Sequence, residues 1–334
     1  MKILLITHLE KETSQINDYM TDIILHGLRK VYGADVIEFP GVWYMYKDEV
    51  KKRNFDYAKL WGNGFTFYDS LTSYNSIDRN DIESKIKNNY FDYIIYTSIT
   101  KSKLYLDLSI NSKSKLILID GEDNTILNEN KNSNILYLKR ELKDDFKNVY
   151  PINLSIPKEK IINNLNSQPT NLLAPLIPHK YKTYIYKNES DYYNMWQESL
   201  FGISYVYGGW WEALRYYEML MNGCIPLIMR LKDCPEKTLT QIPKEKLLYI
   251  LNNYSWILNQ YFPGKIYKKK FLSLDKFTSY FMQLFKKNYN SKSFIEEFPE
   301  INNIRNELMI HTKKYLTTEF TANYVINVAE KFYK

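Results

Sequence analysis

The stretch that decides the fold is GISYVYGGWWEALRYYEMLMNGCIPLIM, residues 202 to 229. It begins with a strand-like run, turns at Gly208-Gly209, continues at helical spacing from 211 to 222, and ends in an apolar run after Asn222-Gly223. The Asn-Gly pair supplies a residue able to take a positive φ where the helix closes. A strand, a helix and a second strand in this order predict one β-α-β unit of a parallel sheet.

The helical part of this stretch has two unlike sides. At about 100° per residue, Glu212, Arg215, Glu218 and Asn222 fall together, opposite a set of apolar residues. One interpretation is a polar face in water, where neighbouring Glu and Arg side chains pair at about a few tenths of a kcal/mol each. The other interpretation is a binding site, and the pattern alone leaves both open.

The residues around the turn favour the binding site. After Gly208-Gly209, backbone N–H groups can approach a ligand closely, and the positive end of the helix can hold a phosphate. Arg215 can add a bidentate contact to the same oxygens, and Glu218 can accept hydrogen bonds from ribose hydroxyls. The chain contains neither GxxxxGK[ST] nor GxGxxG, so the segment predicts a nucleotide diphosphate site of another kind.

Short apolar runs alternate with helical patterns along the rest of the chain. Strands are predicted at 2 to 7, 34 to 40, 91 to 98, 115 to 120, 134 to 139, 172 to 178, 202 to 207 and 224 to 229, and the main helices at 15 to 31, 189 to 201, 211 to 222, 274 to 289 and 301 to 334. This alternation implies parallel pairing through right-handed crossovers. We therefore predict an α/β fold, with two Rossmann-like domains facing across a cleft and helices at the C-terminal end.

A polar stretch divides the chain. KEKIINNLNSQPTN, residues 158 to 171, contains the clustered Asn, Ser and Pro that are typical of a passage between domains. We predict a first domain at 1 to 155, a second at 170 to 310, and a C-terminal helix at 311 to 334 that packs back on the first domain.

The composition limits the class of protein. The chain has 334 residues, enough for two domains, and no apolar run approaches the ~18 residues needed to span a membrane. The two cysteines, Cys224 and Cys234, suit neither a disulfide framework nor a zinc site, which predicts a reducing, cytoplasmic setting. The net charge is +7, with stretches such as Lys268-Lys269-Lys270. Two explanations of this charge stay open. One is a lysine-rich composition that follows from AT-rich coding, and the other is a function that requires affinity for phosphate, an anionic lipid surface or nucleic acid.

The segment from 208 to 228 resembles the nucleotide-sugar-binding helix of GT-B glycosyltransferases. It is more closely similar to a group of bacterial and viral glycosyltransferases with a Gly-Gly-Trp-Asp, Arg-His-Tyr-Glu, Asn-Gly-Cys-Ile-Pro pattern. The resemblance extends over most of the chain, through HGLRKVYG (26 to 33), WGNGFTFY (61 to 68), IDGEDN (119 to 124), YLKREL (137 to 142), TYIYKNESDYY (183 to 193) and CPEKTL (234 to 239). It implies a GT-B fold with an acceptor-side first domain and a second domain that binds the nucleotide sugar.

The resemblance also implies roles for single residues. Arg215 would meet the donor diphosphate, Glu218 would hold the ribose, and Gly208-Gly209 would form the turn of close approach. Two positions depart from the pattern, because Glu212 stands where aspartate is expected and Trp210 where glycine is expected. Retaining GT-B enzymes often carry two glutamates eight residues apart, but the position eight before Glu218 is Trp210, which favours inversion.

Inverting transfer needs a general base, and positive charge near the departing diphosphate. In IDGEDN, Asp120 ends a predicted strand, so Asp120 or Asp123 is a candidate base in the cleft, with an acidic turn as the alternative. His8, at the end of the first strand, is a third candidate, or else a loop histidine bonded to backbone. Lys139 and Arg140 are candidates for the positive charge, or else surface residues.

Two further features of the sequence bear on the expected site. One is a glycine-rich loop, and the other is the lack of a DxD-type acidic pair. Gly62-Asn63-Gly64 lies between Trp61 and Phe65, which predicts a flexible aromatic loop able to stack on a sugar face. No DxD-type acidic pair lies convincingly at a predicted strand end, so we expect no metal ion. We expect no cofactor either, with the nucleotide sugar as co-substrate.

We therefore expect a cytoplasmic glycosyltransferase, inverting and metal-independent, that uses a nucleotide diphosphate sugar, most readily a UDP-sugar. The acceptor is a hydroxyl of a glycan, a glycolipid or another molecule. One alternative is a DNA-base glucosyltransferase of the phage type, and another is a nucleotide- or glycan-binding protein without turnover. A nucleic-acid partner is not favoured, and peripheral contact with a membrane stays open.

Overall fold

The structure, a computed structural model, describes residues 1 to 8, 17 to 127, 134 to 178, 180 to 204, 211 to 261 and 288 to 334. These residues form a mixed α/β fold with a six-stranded and a three-stranded parallel sheet and a group of C-terminal helices. Within these ranges, no helix has both the length and the apolar character required to cross a bilayer.

The larger sheet has the strand order β2-β1-β3-β4-β5-β6, and all neighbours are parallel. Its strands are β1 Ile3–Ile6, β2 Val36–Phe39, β3 Tyr93–Tyr96, β4 Lys115–Asp120, β5 Leu136–Lys139 and β6 Val149–Pro151. The inner strands are nearly continuous apolar runs, as expected where both faces of a parallel sheet are covered. In this register Asp120 lies beside Lys139, which places opposite charges together at the carboxyl ends of β4 and β5.

Within the described ranges, four α-helices lie between the strands of the first half. They are α1 Tyr19–Tyr32, α2 Lys47–Arg53, α3 Ile82–Lys87 and α4 Leu106–Ile110. Asp18 caps α1, since its side chain accepts a 3.1 Å hydrogen bond from the backbone N–H of Thr21. In the first turn of α1, the Thr21 hydroxyl lies 2.9 Å from that of Thr97, which follows β3, so α1 starts on the side of the sheet where ligands bind in open α/β folds.

The smaller sheet has the order β7-β8-β9. Its strands are β7 Asn171–Leu173, β8 Ser199–Ser204 and β9 Ile225–Ile228, and the helices around it are α5 Glu189–Gln197, α6 Leu214–Met221, α7 Lys244–Tyr254 and α8 Leu258–Tyr261. The predicted β-α-β unit is confirmed as β8, α6 and β9. The helix is shorter than predicted, because Ala213 is extended (φ −134°, ψ 139°) and α6 begins only after it. Glu212 thus precedes the helix.

The C-terminal helices are α9 Ser291–Glu297, α10 Glu300–Tyr315 and α11 Thr318–Phe332. The single helix predicted from 301 to 334 is wrong, because Thr317 is extended and its side chain caps α11. Ile156 fixes this break by pairing on both sides of it, with its N–H on the carbonyl of Leu316 and its carbonyl on the N–H of Thr318. Most of the helix predicted at 274 to 289 falls outside the described residues.

Helix α11 packs closely on α1. A Cβ atom on Gly27 would lie 2.0 Å from the carbonyl oxygen of Thr318, so only glycine fits at this crossing. Beside it, the buried imidazole of His26 forms a 2.8 Å hydrogen bond between Nδ1 and Oγ1 of Thr318. Near the middle of α11, the Tyr324 hydroxyl donates to the carbonyl of Pro151, 2.7 Å away. The last helix is thereby attached to the six-stranded sheet.

Gly27→Ala is expected to lower the free energy of unfolding by about 1 to 3 kcal/mol, because the new methyl group must push α11 away from α1. The loss should appear even though alanine favours an isolated helix by about 1 kcal/mol over glycine. Urea unfolding followed by circular dichroism measures it. Val31→Ala, at an exposed position of the same helix, is the control and should change stability by no more than about 0.5 kcal/mol. Equal stability of Gly27→Ala and the wild type would contradict the close contact.

Candidate functional site

The loops that follow β1, β3, β4 and β5 are joined by hydrogen bonds along one edge of the larger sheet. Lys101, after β3, forms an ion pair with Asp18 at the start of α1. The Thr100 hydroxyl donates to Oε1 of Glu122, 2.7 Å away, and Nζ of Lys139 lies 3.4 Å from the carbonyl oxygen of Glu122. The candidate residues that lie far apart in the sequence, His8, Asp120 and Lys139, are thus on one continuous polar edge.

Asp120 is fully buried at this edge. Its Oδ1 accepts from Nζ of Lys139 (2.9 Å) and from the backbone N–H of Glu122 (3.1 Å), and its Oδ2 accepts from the hydroxyl of Tyr137 (2.7 Å). Lys139 is equally buried. A carboxylate that is shielded from water and bonded to a buried ammonium cannot reach an acceptor hydroxyl. This geometry favours a structural ion pair over the predicted roles of Asp120 as a base and Lys139 as a donor-binding cation.

Arg140 bonds both to the turn after β4 and to the segment before α6, and we call this contact the junction. Its guanidinium pairs with Asp123, donates from Nε to the carbonyl of Gly121 (2.9 Å), and donates from Nη1 to the carbonyl of Glu212 (3.0 Å). Asp123 is exposed, whereas Arg140 is buried. Arg140 therefore holds the turn after β4 against the segment that leads into α6.

Glu141, which sequence analysis did not single out, completes this junction. Its buried carboxylate accepts hydrogen bonds from the backbone N–H groups of Trp211 (3.0 Å) and Glu212 (2.9 Å). In return, Oε1 of Glu212 accepts from the N–H of Leu154 (3.0 Å), from Nδ2 of Asn153 (3.2 Å), and from the hydroxyl of Tyr217. The carboxyl end of β5 and the residues after β6 are thus bonded directly to the entry of α6. The only sequence signal for Glu141 was its position one residue after a candidate cation at a strand end.

The polar side of α6 does not face water. Glu218 is buried, its Oε1 accepts from Oγ1 of Thr66 (2.8 Å), and its Oε2 accepts from the hydroxyl of Tyr192 (2.7 Å). Burial raises the pKa of Glu218, against the opposing effect of these two donors. Glu212 and Asn222 are buried as well. The interpretation of a solvated polar face is therefore wrong.

Thr66 brings the glycine-rich loop onto α5 and α6. Its N–H donates to Oε1 of Glu189 (2.6 Å), and its hydroxyl also lies 2.7 Å from the hydroxyl of Tyr193. Thr66 has φ +82°, a backbone conformation that β-branched residues rarely adopt, so these hydrogen bonds hold it there. The ring of Phe65 packs 5.3 Å from that of Tyr192, while Trp61 is 55% exposed. One end of the predicted sugar-stacking loop is fixed, and its tryptophan is accessible.

Arg215 lies in the first turn of α6 and is half-buried. Among the described residues its Nε, although buried, has no hydrogen-bond acceptor, and its guanidinium carbon lies 5.4 Å from the centre of the Tyr184 ring. Ala213, which precedes the helix, provides no capping side chain. Arg215 thus keeps unused hydrogen-bonding capacity at a helix start, a combination that suits an anion.

His8 follows β1 and is half-buried close to the start of α1. Burial works to raise the pKa of Asp18, but the charge of Lys101 and, more weakly, that of His8 bring this pKa below its ordinary value. The next residue, Tyr19, has a pKa raised by burial and by the charge of Glu218, and Arg215 opposes that rise. The start of α1 is therefore near both His8 and the polar side chains of α6.

The predicted turn Gly208-Gly209 lies outside the described residues, as does Trp210. Among the residues that the structure does describe, no group of three or more His, Cys, Asp or Glu side chains is arranged to hold a metal ion. The chain matches no family model, and a search of curated proteins gives no significant match.

The buried Glu212 carboxyl makes stability depend on pH. Burial raises its pKa to about 7, against the opposing charge of Arg140. Between about pH 4.5 and pH 7 the folded chain keeps a proton that the unfolded chain has released, so stability falls as the pH rises through this range. The loss from this group amounts to at most about 3 kcal/mol. Urea unfolding at pH 5 and pH 8 measures it.

Glu212→Gln resembles the protonated carboxyl and should remove most of this difference, so that the variant exceeds the wild type in stability at pH 8. Glu236→Gln, at an exposed position, should leave the pH dependence unchanged. If the wild type and Glu212→Gln lose equal stability between the two pH values, Glu212 does not titrate between them and the raised pKa is wrong.

Proposed function

We propose that the chain is a glycosyltransferase of the two-domain GT-B type, which moves a sugar from a nucleoside diphosphate sugar to a hydroxyl acceptor. The observation that supports this most is the junction of Arg140 and Glu141 with the entry of α6, next to which Arg215 keeps an unpaired Nε among the described residues. This junction brings the carboxyl edge of the larger sheet beside the helix proposed to bind the donor. Both cysteines are free thiols, which suits the reducing, cytoplasmic compartment in which we place the protein.

The donor diphosphate is proposed to bind at the start of α6. The planar guanidinium of Arg215 can donate two parallel hydrogen bonds to phosphate oxygens, and the N-terminal end of the helix adds partial positive charge. Gly208-Gly209 is retained in this proposal as the turn that lets the phosphates approach. Glu212 and Arg140 act as positioning residues here, because their polar groups already bind protein atoms at the junction.

Glu218 is proposed to bind the ribose by giving up a hydrogen bond within the protein and accepting one from the ribose in its place. Both of its carboxylate oxygens accept hydrogen bonds within the protein, one from Thr66 and one from Tyr192. A ribose hydroxyl is chemically equivalent to the Thr66 hydroxyl and can replace it without leaving the buried carboxylate unpaired. The proposed donor site therefore includes the loop that carries Thr66.

Of the three candidate bases, we propose His8. Asp120 is buried in an ion pair, and Asp123 is held by the guanidinium of Arg140, whose charge disfavours uptake of a proton. The His8 imidazole is half-buried, and the nearby Asp18 carboxylate stabilises the imidazolium that forms. The acceptor oxygen attacks the anomeric carbon, its proton passes to His8, and the bond to the diphosphate breaks. Arg215 then stabilises the charge of the departing diphosphate.

Arg215→Ala is expected to weaken binding of a nucleoside diphosphate by about 10- to 100-fold, the effect of losing charge-assisted hydrogen bonds worth about 1.5 to 3 kcal/mol. Arg215→Lys should fall in between, because an ammonium keeps the charge but not the planar fork. Calorimetric titration with UDP, GDP and TDP measures the affinities. Lys331→Ala, near the end of α11, is the control and should bind as the wild type does.

The same nucleotides as diphosphate sugars test turnover, by release of nucleoside diphosphate with and without added glycan acceptors. If one nucleotide binds tightly through Arg215 and no sugar is hydrolysed or transferred, the chain is a binding protein and the enzyme proposal fails. If no nucleotide binds, the donor site itself is wrong.

His8→Ala should reduce transfer by about 10²- to 10⁴-fold, the usual contribution of a general base, and leave donor affinity unchanged. Asp120→Asn should instead lower the free energy of unfolding by about 3 to 5 kcal/mol, because it leaves the buried Lys139 ammonium without its counter-charge. Rates and urea unfolding measured on both variants distinguish the two roles. A stable but inactive Asp120→Asn, together with an active His8→Ala, would return the role of base to Asp120.

A further inference from the structure

A loop after β7 presents large apolar side chains to solvent. In the sequence YKTYIYK, residues 181 to 187, Tyr181 is 84% exposed, Ile185 68% and Tyr184 43%. Lys182 and Lys187 are exposed between and after them, and the loop contains no acidic residue. Single exposed apolar residues are ordinary, but a cluster of them beside basic residues marks a binding surface.

This loop borders the proposed donor site. The guanidinium of Arg215 lies over the Tyr184 ring, and the Tyr181 ring is 6.3 Å from that of Tyr184. On its other side, the Tyr57 hydroxyl donates to the carbonyl of Lys187, 3.3 Å away. The chain then leads from Tyr57 to Trp61, whose exposed indole belongs to the glycine-rich loop. The apolar surface and the entrance to the proposed site are therefore neighbours.

The side chains of this surface suit a lipid bilayer better than a sugar. Sugars bind where an aromatic face is joined by hydrogen-bonding groups in a concave site. Here the most exposed aliphatic residue, Ile185, offers no hydrogen bond, and a side chain that is 68% exposed does not line a cleft. Tyrosines and an isoleucine with lysines at their flanks are instead typical of a surface that enters the boundary between headgroups and acyl chains.

We propose that the loop at 181 to 187 binds an anionic lipid bilayer. Ile185 and Tyr181 enter the interface, and Lys182 and Lys187 attract the anionic headgroups. Because the loop borders Arg215, membrane binding faces the proposed site toward the bilayer, so that the acceptor is a hydroxyl carried at a lipid surface. The statement about the acceptor rests on the proposed function, whereas lipid binding stands on the loop alone.

The expected binding is peripheral and reversible. Two apolar side chains bury little area, so affinity depends on both their insertion and electrostatic attraction. Each lysine near an anionic surface contributes about a fivefold change in affinity, and the attraction decays over about 10 Å at 0.1 M ionic strength. Binding should therefore require anionic lipid and weaken as salt is added.

Co-sedimentation of the whole chain with vesicles tests this, in the absence of any nucleotide. Vesicles of phosphatidylcholine alone are compared with vesicles that also contain about 30% phosphatidylglycerol, a content that gives a negative surface potential. The double variant Tyr181→Ser/Ile185→Ser should lose about tenfold or more in affinity for the anionic vesicles. Lys182→Gln/Lys187→Gln should lose about 25-fold at low salt.

Ile310→Ser is the matched control, because Ile310 on α10 is 67% exposed and lies outside the loop. It should bind vesicles as the wild type does. Circular dichroism of every variant should match the wild type, since these side chains are exposed. Calorimetric titration should also show that Tyr181→Ser/Ile185→Ser keeps the wild-type affinity for nucleoside diphosphate.

Three results would overturn the proposal: no binding of the wild type to anionic vesicles, equal binding to neutral vesicles, or an equal loss in Ile310→Ser. Binding of soluble oligosaccharides that the loop variants lose, without binding of vesicles, would assign the surface to a glycan instead. If vesicles bind through the loop while no nucleotide binds at Arg215, the lipid surface stands and the proposed function fails. The two proposals are therefore tested separately.

Discussion

The buried carboxylate of Glu141, with the guanidinium of Arg140 beside it, is the interaction on which the site depends. Glu141 accepts the N–H groups of Trp211 and Glu212, and Arg140 donates to the carbonyl of Glu212. Two buried charges are expensive to desolvate, and they are retained only where hydrogen bonds satisfy them. Here the backbone before α6 supplies both donors and an acceptor. The entry of α6 is thus fixed relative to the carboxyl edge of the larger sheet.

Because the entry of α6 is fixed, some polar residues of the site have all their hydrogen bonds within the protein, whereas others keep hydrogen-bonding groups for a ligand. Glu212, Asp120 and Lys139 bind protein groups around the junction, and their burial leaves no surface for a ligand. Arg215, the second residue of α6, has an Nε without an acceptor among the described residues. The same geometry that binds these three residues to protein groups leaves Arg215 as the group best placed to meet an anion.

Local pattern was enough to predict the β-α-β unit around α6 and five of the six strands of the larger sheet, because each depends on short apolar runs and turn residues, but it missed the short edge strand β6. It was not enough for the break at Thr317, which depends on pairing with Ile156, far away in the sequence. Burial of Glu212 could not be predicted for the same reason, since its partners Asn153 and Leu154 come from the other half of the chain. The pattern identified residues with reactive groups, and long-range contacts decided which of them are accessible.

Glu218 shows how this distinction bears on mechanism. A carboxylate predicted to bind ribose is bound instead by Thr66, which takes an unfavourable backbone conformation, φ +82°. In the proposed enzyme, the ribose and the loop need the same carboxylate oxygen, so binding of the nucleotide displaces Thr66. The unfavourable backbone conformation of Thr66 would reduce the free energy that this displacement requires. In the proposed enzyme, arrival of the donor is therefore coupled to movement of the loop that carries Trp61, at the border of the lipid-binding surface.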